Sequence, residues 1–492
     1  MADPIFGIGI QRIDNEPRPA STADMAVIGL VGTAPDADVD VFPLNDPILI
    51  FSDDAAAITA LGETGSLAGQ LELINAQLGE FQVAARVIIA RVEEGEDDDE
   101  TITNLVGNSS LKTGVHALRS AGPKLGVVPR LIAVPNYTYQ RDTGVSAIAI
   151  GGGGGTGYEV GDTIAGSGGA GTGFAGQVAT VDGDGTILTV TITTAGSGYT
   201  SAPTLAITTD AGTGATLTAT IDDLANPVTA ALGALCAALL AHAVVSGPHT
   251  SLQAFTDWRE TLNHGRLIPV ETWVKVGVDA TLTDSVGAIL GLAVRRDHEF
   301  LGHPFHSWAN QPVQGIVGPN RFIDFSLTDG NTEGQSIIAL NGGVIIRGEA
   351  GMESAIASGG FVYVGTDNAG EDDIWRFYNV TRGRDYIHIL MLRTLRFYLG
   401  RFNLTGQTIQ AVLNTINGAL RDLKADNEIL DYRVTFERGQ NSPEELRQGR
   451  FTVLFMAEEA PVLRYLGIRS ARYRPALDAL LDDLLAQIDV AA

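Results

Sequence analysis

Between residues 137 and 226 the composition changes so sharply that the chain cannot be one uninterrupted fold. These 90 residues hold 20 Gly and 19 Thr, a single arginine (Arg141) and no lysine. They also repeat. Gly155-Thr156-Gly157-Tyr158 returns 41 residues later as Gly196-Ser197-Gly198-Tyr199, and Gly171-Thr172-Gly173 returns at the same offset as Gly212-Thr213-Gly214. Two landmarks with a common offset mark a duplicated unit. Alternating Thr and apolar residues at 186–194 and 204–209 read as strands. The segment is therefore expected to be a small all-β domain inserted into a surface loop, where an insertion costs little loop-closure entropy.

On either side of it, strand patterns alternate with helix patterns, which implies an α/β layer. Apolar runs at 26–31, 48–51, 83–92 and 130–134 read as strands. Ser66 is placed to cap a helix carrying Leu67, Leu71, Ile74 and Leu78, and a second helix is expected near 101–120. After the insert, 228–245 reads as an Ala/Leu-rich helix and 267–276 as a strand. Further strands are expected at 343–347, 361–364, 429–437, 451–457 and 461–468, and an amphipathic helix at 475–488. The fold class is thus α/β to α+β, in several domains: an arm at 1–24, a discontinuous α/β domain at 25–136 and 227–318, the β insert at 137–226, and a C-terminal domain at 319–492.

The two ends look unlike a core. Ile5, Ile8, Ile10 and Ile13 are interleaved with Gly and polar residues, and Glu16-Pro17-Arg18-Pro19 then breaks any element. This is an extended arm with one short strand. Val462, Leu463, Tyr465 and Leu466 lie in the last strand candidate.

With 32 Lys and Arg against 58 Asp and Glu, the net charge is −26. Such a chain is poorly suited to wrapping nucleic acid or an anionic membrane. No stretch approaches the ~18 uninterrupted apolar residues of a membrane span. The start MADPIFGIGIQRIDNE lacks the basic and apolar regions of a secretory signal. Half of the basic residues, 16, fall within 371–492; an acidic partner, if there is one, would bind there, and any single arginine reads first as solvated or ion-paired surface.

The chemical motifs fail their spacing tests. Gly151–Gly157 is followed by Tyr158 and Glu159, not by the Lys and Ser/Thr of a phosphate loop. His298 and His303 are five apart, and Gly302 and Pro304 would break the single helical face that a zinc helix needs. The acidic run 93–100 lacks a calcium-loop spacing and reads as a solvated loop. The lone cysteine, Cys236, excludes a disulfide framework. No catalytic residue, cofactor or metal is expected, and a structural or interaction protein is favoured over an enzyme.

The stretch 27–50, VIGLVGTAPDADVDVFPLNDPILI, resembles the N-terminal signature of contractile tail sheath proteins of bacteriophages, particularly the P2 type. Collinear blocks support it: Asn104-Leu105-Val106-Gly107, 129–135, HSWANQPVQG at 306–315, LNGGVIIR at 340–347, 377–384 and 416–429. The resemblance covers roughly 1–136 and 227–492. It implies a subunit of a helical sheath with six copies per ring around a tail tube, made without nucleotide hydrolysis and contracting when the baseplate triggers it. Tail tube, baseplate and tail terminator proteins are the implied partners, the virion tail the implied location, and the host cytoplasm the place of assembly. It also implies that the segments around Ile5–Ile13 and Val462–Leu466 add strands to neighbouring subunits; both could equally be strands of their own subunit.

Residues 407–424 have helical spacing, with Ile409, Val412, Leu413, Ile416, Leu420 and Leu423 forming the buried stripe. Gln410, Asn414, Asn417, Arg421 and Lys424 fall on one flank. By the resemblance this flank attaches to the tube; by the residues alone, the two cations only complement the helix dipole. A phage-derived contractile bacteriocin or injection device, and a Gly/Thr-rich surface-binding protein, are the alternatives.

Overall fold

The computed structural model describes residues 24–79, 83–348 and 360–490. Ile5, Ile8, Ile10 and Ile13 lie outside the described residues. The chain divides into two units, one ending at Pro461 and the other beginning at Val462.

The first unit is centred on a six-stranded sheet. It takes β1 (Ile28–Thr33), β2 (Pro47–Phe51), β3 (Arg86–Val92) and β4 (Leu131–Ala133) from before the insert. The insert supplies β5 (Thr143–Gly151), β6 (Thr163–Ser167), β7 (Thr172–Val181), β8 (Ile187–Ser197), β9 (Thr204–Thr208) and β10 (Thr216–Asp223) to a sheet of its own. The central sheet is completed by β11 (His242–Ser246) and β12 (Leu267–Val270), giving the order β12-β11-β4-β1-β3-β2. All neighbours are parallel except β2, which runs antiparallel to β3 at one edge.

Alternation along the strands explains why they are apolar throughout. Val87 and Ile89 of β3 enter one core, and Ile88, Ala90 and Val92 enter another on the opposite face. A parallel sheet covered on both faces has no polar side to show. Helices α1 (Ala55–Leu61) and α2 (Gln70–Leu78) follow β2, and α3 (Asp98–Val106), a 3-10 turn (Gly114–Ser120) and α4 (Ala121–Leu125) follow β3. Helix α5 (Pro227–Leu239) precedes β11 and α6 (Leu252–Glu260) precedes β12. After them come β13 (Val274–Val276), β14 (Thr281–Thr283) and α7 (Val286–Glu299), whose Ala288, Ile289 and Leu292 are fully buried.

The rest of the first unit begins with β15 (Gln311–Val313), β16 (Gly318–Pro319), α8 (Glu333–Ala339), β17 (Val344–Gly348) and β18 (Gly360–Val364), which build two small three-stranded sheets with β13 and β14. Helices α9 (Tyr378–Leu395) and α10 (Gly406–Ala425) then pack with β19 (Ile429–Thr435), the short α11 (Pro443–Arg447) and β20 (Leu454–Glu459). Their shared core contains Met25, Phe305, Tyr386, Ile387, Ile416 and Leu420. The second unit is an irregular stretch followed by α12 (Pro475–Val490), whose Leu477, Leu480, Leu481, Leu484 and Leu485 are exposed.

Insert entry and exit are closed by one side chain. Asn226 caps α5, accepting from Val228 N (2.8 Å) and Thr229 N (3.2 Å), with Pro227 in the first helical turn. Its amide also donates to Tyr137 O (3.2 Å) and Gln140 O (2.9 Å). The antiparallel pairing of β5 with β10 continues this closure into the insert. Inside, the duplicated motifs are exchanged between the halves: Tyr158 of the first covers Gly212 of the second, and Tyr199 of the second covers Gly171 of the first.

Several elements differ from the sequence reading. The expected helix at 228–245 is helix α5, a turn with Leu240 at φ 49°, and buried strand β11. An Ala/Leu/Val run that is apolar on all sides carries no period to separate the two. The expected strand at 267–276 breaks at Glu271-Thr272, where Glu271 pairs with Arg321 and the Thr272 hydroxyl accepts from Ile345 N. Ser66 does not cap α2, whose preceding residue Gly69 is left-handed at φ 72°. Instead Ser66 and Thr33 exchange hydrogen bonds, each hydroxyl accepting the other's N–H. The acidic run is only half a loop: Asp97 caps α3, and Asp98, Asp99 and Glu100 fill its first turn, where negative charge suits the helix dipole. The helix expected over 101–120 ends at Val106. Finally, 461–468 is not a strand: Val462, Leu463, Tyr465 and Leu466 pair with no strand among the described residues, and Leu463, Tyr465 and Leu466 are exposed.

Candidate assembly interface

The sheet of β19 and β20 has two strands only among those described, paired antiparallel from Ile429–Glu459 to Thr435–Leu454. Inward-facing Ile429, Tyr432, Val434, Phe455 and Ala457 pack on the core of α9 and α10. Leu430, Leu454 and Met456 are exposed on the other side. A two-stranded sheet is marginal by itself and leaves unpaired N–H and C=O groups along both edges.

Helix α10 presents the flank that its sequence suggests. Ile416, Leu420 and Leu423 are buried, while Asn414, Arg421 and Lys424 are exposed. Asn414 accepts from Gln410 (3.1 Å), Arg421 lies 3.5 Å from Asp422, and Lys424 donates to Asp431 of β19 (2.7 Å), holding that carboxyl below its usual range. Asn417 is only half exposed: its amide donates to Leu413 O (2.9 Å), and its carbonyl accepts from the Tyr432 hydroxyl (3.2 Å). These exposed ion pairs are weak and salt-screened, so a partner can exchange for them at small cost.

The sequence reading missed an ionic cluster on α9. Arg382, fully buried, grips Asp297 of α7 with both nitrogens (3.1 and 2.6 Å), reaches Met25 O at 3.4 Å and lies over the Trp308 ring. Arg384 takes both oxygens of Glu459 (2.6 and 2.9 Å) and donates to Ala457 O (2.6 Å). Asp385 binds Arg266 through both guanidinium nitrogens. The signal was present as Arg382, Arg384 and Asp385 close together on one helix, whose partners are too far away in sequence to infer.

The histidine loop has an equally specific role. His303 Nδ1 and His306 Nε2 each lie 3.3 Å from one oxygen of buried Glu428, so one carboxylate is held by two rings. The bond to Glu428 raises the His303 pKa against the opposing effect of burial. Burial opposes ionisation of Glu428 too, yet the two histidines bring its pKa below the ordinary value. Among the described residues no three His, Cys, Asp or Glu side chains gather as a metal site. Cys236 is buried in α5, and desolvation pushes its thiol up to about 12, far from nucleophilic.

The fold is similar to those of solved contractile sheaths. It matches the contracted sheath of the anti-feeding prophage with a TM-score of 0.57 at 13% identity, over 96% of this chain and 100% of the other. The contracted sheath complex of the extracellular injection system PVC matches with a TM-score of 0.56 at 11% identity, over 97% and 99%. No protein-family model matches the chain. In sequence it is 23% identical to the tail sheath protein of Escherichia phage P2 over 483 residues, 95% of this chain and 96% of the relative. It is 37% identical to the major tail sheath protein of Serratia phage KSP20 over 123 residues, 24% and 30% of the two chains. In sequence and in fold the chain is similar to the tail sheath proteins of contractile phage tails.

Proposed function

We propose that copies of this chain polymerise head to tail into a helix of six-membered rings around a tail tube, and that shortening of this lattice drives the tube through the host envelope without enzymatic turnover. A head-to-tail contact that does not close generates a helix. The observation that carries the reading is the sheet of β19 and β20, which has two strands only among the described residues, packs one face on α9 and α10, and leaves its edges open to further strands. The segment holding Ile5, Ile8, Ile10 and Ile13 and the one holding Val462, Leu463, Tyr465 and Leu466 are the strands that neighbouring subunits supply. Main-chain hydrogen bonds would give that augmentation its strength.

The flank of Asn414, Asn417, Arg421 and Lys424 faces the tail tube, and baseplate and terminator proteins cap the two ends of the lattice. The sheath is a virion component assembled in the host cytoplasm. The insert lies on the exterior as decoration. Tyr158, Phe174 and Tyr199, its aromatic rings within 143–223, are all buried, so it offers no ring for stacking on a sugar. Full-length similarity to a phage sheath favours the phage tail over an injection device.

Deleting residues 1–20 tests the arm. The expected result is a folded monomer that no longer polymerises in sedimentation. Normal polymers from the truncated chain would refute it.

A further inference from the structure

The points where the described fold receives the N-terminal segment and releases the C-terminal one are bound to a single helix. Met25 is the first buried residue of the chain as described, and its carbonyl accepts from Arg382 of α9. At the other end, Ala460 follows β20 directly. Its carbonyl accepts from Asn379 of α9 (3.3 Å), and its N–H donates to Glu428 O (3.1 Å). One residue earlier, Glu459 is gripped by Arg384 of α9, which also binds Ala457 O. Asn379, Arg382 and Arg384 span less than two turns of α9, so entry and exit are anchored side by side.

We propose that α9 presets the direction in which both terminal segments leave the subunit, with Asn379, Arg382 and Arg384 as positioning residues for linkage to neighbouring copies. The proposal rests on the reading of those segments as inter-subunit arms.

Three features carry it. Each bond goes to a main-chain carbonyl or to a side chain at the root of a segment, so it fixes chain direction. Arg382 is itself locked by the two-point grip on Asp297 and by the Trp308 ring, so the N-terminal root is tied to a rigid point. Arg384 lies over the rings of Trp375 and Phe455, which orient it toward Glu459. Pro461 then restricts Ala460 to extended backbone and begins the departing segment without an N–H. Fixing the roots removes conformational freedom that each arm would otherwise lose on pairing, and such preorganisation strengthens association without adding contacts.

Arg384→Gln is the direct test, because Arg384 is partly exposed and a glutamine amide can still donate to the buried Glu459 carboxylate that loses its cation. The critical concentration for polymerisation is expected to rise about tenfold, the effect of losing a hydrogen-bonded charge pair. Amides 457–460 of the monomer should exchange faster with deuterated solvent, while α10 amides stay as in the wild type and the melting temperature falls no further than in Glu459→Ala, which removes the same ion pair. Arg384→Lys should be intermediate, and Arg384→Glu combined with Glu459→Arg should restore most of the assembly. If Arg384→Gln does not fold, Glu459→Gln carries the same test with a smaller rise. A wild-type critical concentration despite faster exchange at 457–460 would overturn the proposal, as would a rise that only follows a falling melting temperature. Truncation after Pro461 separates the two ideas. If the truncated chain polymerises normally, the C-terminal arm reading fails; if it does not polymerise and Arg384→Gln does so as wild type, only the positioning role fails.

Discussion

His303 and Glu428 show how one contact makes a pH-dependent contribution to stability. The His303 pKa is raised above its ordinary 6.5 in the fold by the bond to Glu428. Its stabilising effect is therefore fully present below the unfolded value and lost as pH rises through the folded one. Glu428 has the opposite sign: its pKa is lowered, so its contribution is present above the unfolded carboxylate value and lost as pH falls through the folded one. The two windows overlap in mildly acid solution, between the unfolded values of Glu and His. Asp297 and Asp426 also favour the charged His303, and the Tyr386 ring packs against it. His303→Gln is expected to cost about 1–2 kcal/mol near pH 6 and much less at pH 8. Urea unfolding at the two pH values measures this, and an equal loss at both would show that the ring acts by packing alone.

Among the elements, those with a clean period were legible and those without one were not. Helix α10 announces itself through its buried stripe, and its observed limits, Gly406–Ala425, lie close to the expected 407–424. Strand β11 did not, because its neighbours in sequence are as apolar as it is. Ser66 looked like a cap, but its hydroxyl serves Thr33, a partner 33 residues away that no local pattern discloses. At 461–468 the run is rich in apolar residues, as a strand would be, but no described edge pairs with it; composition can favour extended backbone without supplying a partner strand. The insert was legible through its repeat, though not the exchange of tyrosines between its halves. A methyl group at Gly212 would overlap the Tyr158 ring, and one at Gly171 the Tyr199 ring. Gly212→Ala should therefore destabilise the insert by about 1–3 kcal/mol through overpacking. Hydrogen exchange should speed up in β6–β9 and stay unchanged in β1, β3 and β4. Unchanged exchange in β6–β9 would mean that the ring moves aside freely.

At the scale of the whole molecule, charge and strand pairing divide the work. The chain carries −26 overall, yet half of its basic residues lie in the last quarter, where α9, α10 and the open sheet are found. Some of these arginines are committed internally, Arg382 to Asp297 and Arg384 to Glu459, whereas Arg421 and Lys424, on the proposed tube-facing flank, are exposed. Arg421→Glu with Lys424→Glu, co-expressed with the tube protein, should abolish extended sheaths on tubes and leave empty polymers, because rim charges set register while a release step needs them weak. Normal extended tails would sink that assignment.

The central claim is that this chain builds a contractile sheath, and electron microscopy of the purified full-length protein tests it most directly. The expected image is of hollow, striated tubes with six-fold cross-sections. Monodisperse single particles, at protein concentrations well above those that polymerise related sheaths, would contradict the account.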